Sequence, residues 1–196
     1  MNNSLSQVRD AGGKPLVCNR SKRFITNAFF GMLIFIVCEV MFFGGLISAF
    51  LVGRAGQDWP PIGQPRLPIW STLVNTILLL ISGVFVFRSG KSIAVVKKEW
   101  LLFGLLLGLM FLLLQGMEWI RLMDYGLTMR SSNYGSFFYL VIGVHALHLV
   151  AAIILLSHVC YRAICGELSQ GELEASRMFW SFVVCVWPIL YVIMYL

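Results

Sequence analysis

Three side chains have the type and placement to do chemistry inside a membrane: Glu39, His145 and His148. Glu39 is the one charged residue between Arg23 and Arg54. A carboxyl near the bilayer centre costs on the order of 2.5–3.5 kcal/mol on insertion scales, so it must face protein and find a partner. Counted from Phe24, it stands about halfway along its apolar run. His145 and His148 lie near the middle of another long run, at comparable depth, and their i, i+3 spacing sets both on one helix face. The chemistry on offer is a Glu–His hydrogen bond, direct or through a shared water. Such a pair can exchange protons, and it can equally be an uncharged strut between helices.

Other chemistries find little material. A haem or copper centre needs ligands converging from several helices. There are only three histidines, and His158 lies about three turns beyond the pair. No C-x-x-C-H segment is present, and no acidic cluster suggests calcium or magnesium. The five cysteines, Cys18, Cys38, Cys160, Cys165 and Cys185, form no C-x-x-C pair. Cys38 and Cys185 lie inside apolar runs and read as small hydrophobes. Arg88 to Ser92 echoes the end of a phosphate-binding loop, but Phe85 stands where its first glycine belongs. Glu118 reads as a solvated helix end, and Glu167, Glu172 and Glu174 as loop charges. The basic residues are dispersed between apolar stretches, which argues against a nucleic-acid partner.

The elements that must position these groups follow from composition. Hydrophobic residues make up 59% of the 196 positions, charged residues 12%, and the mean hydropathy is +0.83. Soluble domains carry about 25% charged residues, so part of the solvent here is lipid. Apolar runs at about residues 24–52, 67–87, 100–117, 136–160 and 178–196 each suit a helix across a hydrocarbon core of about 30 Å. Alternation is absent, which excludes a barrel. The expected fold is all-α: a polytopic bundle of five transmembrane helices in one domain, 24–196, after a polar segment, 1–23. That segment has no apolar core, so no cleaved signal is expected. Eleven Lys and Arg residues fall on the N-terminal side of the membrane and four on the other, which predicts a cytoplasmic N-terminus and a periplasmic C-terminus. Trp59, Trp70, Trp119, Trp187 and Tyr195 fall near the outer ends, as an aromatic belt would. Gly45 with Ala49, and Gly44 with Ser48, have the spacing of a close helix contact. Pro188 should kink the fifth helix.

Read in order, the polar landmarks resemble subunit III of the haem-copper respiratory oxidases. GMLIFIVCEVMFFGGLISAF looks like that family's segment with a lone glutamate before a Phe-Phe pair, and Glu39 is the matching residue. The loop WPPIGQPRLP, with Trp59, Pro60 and Pro61, is similar to its W-P-P-x-G loop, and Asn75 falls in the N-T-x-x-L-L-x-S-G helix that follows. Gln115, Glu118 and Trp119 resemble its Q-x-x-E-Y helix end. YGSFFYLVIGVHALH resembles its signature through Tyr134, Gly135, Ser136, Gly143, His145 and His148. LEASRMFWSFVVCVW, with Trp180 and Trp187, resembles its closing helix. The match runs from about Phe30 to the C-terminus. Two departures stand out: Ser181 holds a position where the family commonly has His, and Val184 one where it has Asp.

The resemblance implies a short, five-helix subunit III, lacking the first two of the seven helices of longer members. It implies a non-catalytic accessory subunit of a membrane terminal oxidase in a bacterial inner membrane, within a complex that reduces oxygen to water. Subunit I would be the main partner, with subunit II and other respiratory subunits around it. Haem and copper would reside in those partners and none in this chain, and phospholipid would occupy a cleft between helices. The electron donor, cytochrome c or quinol, is not legible, and association with a nitric oxide reductase is the neighbouring alternative. From another class, a small proton-coupled transporter would use Glu39 as its carrier.

Overall fold

The computed structural model describes residues 20–55, 69–90, 93, 96–125 and 133–195, with the backbone alone for 20–28, 133 and 134. Trp59, Pro60, Pro61, Cys18 and most of the Gly53–Pro68 loop lie outside the described residues. Among the described residues, five helices carry the fold: α1 (Arg20–Arg54), α2 (Ile69–Arg88), α3 (Lys98–Asp124), α4 (Asn133–Cys165) and α5 (Gln170–Tyr195). All five are long and apolar enough to cross a membrane. Helices α3, α4 and α5 start earlier or end later than the apolar runs alone suggest, because hydrogen-bonded turns continue where polar side chains can cap or pair them. At the start of α5, the backbone N–H of Ser169 donates to Glu172 Oε2 at 3.0 Å, and the N–H of Glu172 donates to Ser169 Oγ at 3.3 Å. This S-x-x-E capping box starts the helix at Gln170 rather than at the apolar Met178. Before it, α4 stops at Gly166, whose φ of +79° suits a residue without Cβ.

The contacts fix which helix ends meet, and they set α1 and α5 parallel to each other. Arg54 Nη1 donates to the Ile193 carbonyl at 3.4 Å, and the Tyr191 hydroxyl donates to the Ile69 carbonyl at 3.2 Å. The ends of α1 and α5 therefore meet the start of α2. At the other end, Arg177 donates from Nη1 to the Gly90 carbonyl and from Nη2 to the Phe87 carbonyl, both at 2.6 Å. A cation from α5 thus satisfies carbonyls at the C-terminus of α2, where the helix dipole also favours positive charge.

Helix α5 is the hub. Its most apolar stretch is 61% buried, against 6% for α1, which lies at the periphery. Trp180 and Trp187 are among its fully buried side chains. Pro188 lies inside α5, which runs unbroken through it. Small residues let the helices approach at three places: on α1, where a Cβ at Gly53 would stand 2.7 Å from the Phe137 ring of α4, and on α2 and α3. A Cβ at Gly104 would stand 2.4 Å from Val86 Cγ2, and one at Gly108 would stand 2.4 Å from the Trp180 ring. Ser82 Oγ donates to the Gly104 carbonyl at 2.6 Å, fixing α2 on α3. Gly83 receives Val184 of α5 in the same way, with 2.9 Å from its would-be Cβ to Val184 Cγ1.

Two expectations are corrected by the packing. Gly44 and Gly45 have nothing within 4 Å of a would-be Cβ, so their small-residue spacing packs no helix among the described residues. The inward face of α1 is the one carrying Phe43 and Phe50, which turns the glycines outward. Trp187 and Tyr195 are buried inside the bundle instead of standing in an interfacial belt, whereas Trp70 is 80% exposed. The membrane-spanning part of α5 is apolar on every face, so packing, not polarity, decides which aromatic goes inside. Among the cysteines, Cys38 and Cys185 are exposed and Cys160 is the buried one of the four described, all of them free.

Candidate functional site

Helices α1 and α4 bring Glu39 to His148. Glu39 lies on the inward stripe of α1 with Ile36 and Phe43, about one turn from each. Its Oε2 is 2.9 Å from His148 Nε2, and the two side chains are 17% and 15% exposed. His148 Nδ1 lies 2.8 Å from the Val144 carbonyl one turn back, a contact that requires Nδ1 to carry the donating proton. The bond to Glu39 then needs a second proton. In one form the carboxyl O–H donates to a bare Nε2, and in the other an imidazolium Nε2–H donates to a carboxylate. Both sum to zero charge. The pair is therefore neutral as a unit, which is what low-dielectric surroundings favour. Phe42 and Phe43 pack on the His148 ring, with Phe43 edge-on at 5.2 Å between centroids.

His145 does not join this pair. It is 1% exposed, with its ring 5.0 Å from that of Trp187 on α5 and 6.4 Å from that of Phe43. Neither ring nitrogen has a hydrogen-bond partner among the described residues. The i, i+3 spacing sets both histidines on one face, but the angle of about 60° between them at 3.6 residues per turn suffices to send them to different neighbours.

A second polar group lies between α2, α3 and α5. Trp187 Nε1 donates to Thr76 Oγ1 at 2.9 Å, and Thr76 Oγ1 donates to the Thr72 carbonyl at 2.7 Å. Asn75 Nδ2 approaches Gln115 Oε1 at 3.5 Å, and Gln115 Nε2 approaches the Tyr195 hydroxyl at 3.4 Å, both long contacts. Reasoning from the sequence misses Thr72, Thr76 and Tyr195 as interior polar partners. The T-x-x-N-T spacing of Thr72, Asn75 and Thr76 along one face of α2 is the signal that marks the first two. Glu118 is 13% exposed and pairs with Arg121 at 3.3 Å. Tyr134 lies in the first turn of α4, Gly135 is buried, Ser136 is exposed and Gly143 is half-buried. Glu172, expected as a solvated loop charge, instead belongs to α5 and pairs with Arg162 of α4 at 2.7 Å.

These groups do not suit a redox centre. His148 engages both ring nitrogens, and His145 opens on a space of about 30 Å³, far too small for a porphyrin. Among the described residues, no group of three or more His, Cys, Asp or Glu side chains could hold a metal ion.

The family description that matches this sequence, over residues 15–196, is cytochrome c oxidase subunit III. The chain belongs to that family. It is 32% identical over 176 residues to the "Probable cytochrome c oxidase subunit 3" of Mycobacterium leprae (strain TN), covering 84% of this chain and 85% of the relative. It is 32% identical over 179 residues to the cytochrome c oxidase subunit 3 of Synechocystis sp., covering 85% and 74%, and 34% identical over 179 residues to that of Locusta migratoria, covering 84% and 67%. As a member of the subunit III family with five apolar helices, it is a multi-pass protein of a bacterial inner membrane and an accessory, non-catalytic subunit of a haem-copper oxidase. At one departure from the family pattern, Val184 is buried against Gly83, an environment with no use for a carboxylate.

Proposed function

We propose that this subunit packs beside the catalytic subunit I of its oxidase, with subunit II and other respiratory subunits nearby, and sustains that enzyme during turnover without touching oxygen or haem. Haem and copper reside in the partners. The N-terminus faces the cytoplasm and the C-terminus the periplasm, supported by the eleven-to-four division of Lys and Arg. The observation that carries the reading is the family match over almost the whole chain, joined to a polar interior whose members are largely spent on one another.

Phospholipid binding belongs to the same role. Two apolar grooves flank α1. One, of about 590 Å³, is lined by Met32, Phe35, Ile154, Leu155 and Phe179. The other, of about 520 Å³, is lined by Phe29, Ile36 and Phe182, with Glu174 and Arg177 among its polar residues. Both have the apolar lining that acyl chains fill, and they support α1 as the lipid-facing helix. The motif positions Trp59, Pro60, Pro61, Asn75, Glu118, Tyr134, Gly135, Ser136, Gly143, Trp180 and Trp187, with the Glu39–His148 pair and the neighbouring His145, then act as structural determinants of a stabilising subunit.

The test is oxygen consumption by the oxidase purified with and without this chain. The depleted enzyme is expected to start at a comparable rate and to lose activity faster over successive turnovers. Complete loss of the initial rate would point to a catalytic contribution and contradict the proposal.

A further inference from the structure

Helices α3, α4 and α5 enclose a space of about 30 Å³ lined by Gln115, Trp119, His145, Trp187, Phe111 and Leu149. A buried water needs at least about 10–15 Å³ and two to four polar partners, whereas an apolar void of greater size stays dry. Here the walls are not all apolar. Trp119 Nε1 and both ring nitrogens of His145 are buried, and none has a hydrogen-bond partner among the described residues. The indole N–H can only donate, and a neutral imidazole presents one N–H and one bare nitrogen. Groups of this kind are rarely left orphaned in a folded interior. Gln115, already leaning toward Asn75 and Tyr195, keeps a spare lone pair and a spare N–H.

We propose that this space is an internal water site. The water accepts from Trp119 Nε1, donates to the bare ring nitrogen of His145, and has Gln115 as its third partner. It ties α3 to α4 and extends the Asn75–Gln115–Tyr195 group to the histidine. The two histidines then hold different partners, a carboxyl for His148 and a water for His145. The walls of this space alone supply the water's partners, whichever subunits surround the chain.

A water-resolving structure of the purified protein, in whatever complex it is extracted with, tests it. The expected map shows a peak about 2.7–3.2 Å from Trp119 Nε1 and from one ring nitrogen of His145. In a Trp119→Phe variant the peak should weaken or vanish while the helices stay in place. The inference is overturned by an empty space in a map that resolves other enclosed waters, by a side chain or lipid filling it, or by an undiminished peak in Trp119→Phe. Should that variant fail to assemble, the map of the unmodified protein decides between a water and an empty or otherwise filled space.

Discussion

At Glu39 the unfavourable transfer of a carboxyl into hydrocarbon is offset by one hydrogen bond of 2.9 Å and by the neutrality of the pair it forms. Glu39→Gln keeps a donor toward a bare His148 Nε2 and introduces no charge, so thermal unfolding should change by no more than about 1 kcal/mol. The infrared spectrum should lose a carboxyl band and show a shifted histidine ring mode; an unshifted histidine mode would mean that the two side chains do not touch. Glu39→Ala leaves the His148 nitrogen without a partner and is expected to cost about 1–3 kcal/mol, read as a lower unfolding midpoint. The depth of these residues and their need for one another are legible in the sequence, because apolar runs of known length measure depth. Which histidine takes the bond is not legible. It depends on the rotation of α4 against α1, which is set by Phe43 and Trp187 packing on the two rings, with Phe182 behind Phe43.

The helices hold together through size as much as polarity. Gly104 and Gly108 form a G-x-x-x-G stripe on α3 that admits Val86 of α2 and Trp180 of α5. Because Trp180 is fully buried and cannot swing away, Gly108→Ala should destabilise the subunit by about 1–3 kcal/mol, whereas Gly44→Ala on the open face of α1 should be neutral. Unfolding of the two variants side by side checks the contrast, and equal effects would mean that α1 has a close partner outside this chain. Small-residue spacing alone does not distinguish the two stripes, since both read the same along the sequence. Their difference lies in what packs opposite. The Ser169–Glu172 capping box, by contrast, is visible as S-x-x-E and marks the true start of α5.

For the whole molecule, five crossings follow from charge-free length, because a lipid interior tolerates so few alternatives. The interior of α5 is hidden for the same reason: a helix apolar on all sides gives no period from which a buried face can be read. The proposed orientation predicts that a C-terminal alkaline phosphatase fusion is active and that a fusion in the connection between α2 and α3 is not; the reverse pattern would invert the subunit. The central claim is that this chain assembles with a haem-copper oxidase while carrying no redox centre itself. Purifying it through a tag in mild detergent, with an optical spectrum and protein identification on each fraction, tests that most directly. Haem absorbance should appear only in fractions where a larger oxidase subunit co-elutes and should be absent once the chain is separated from it. Haem retained by the isolated chain would contradict the account.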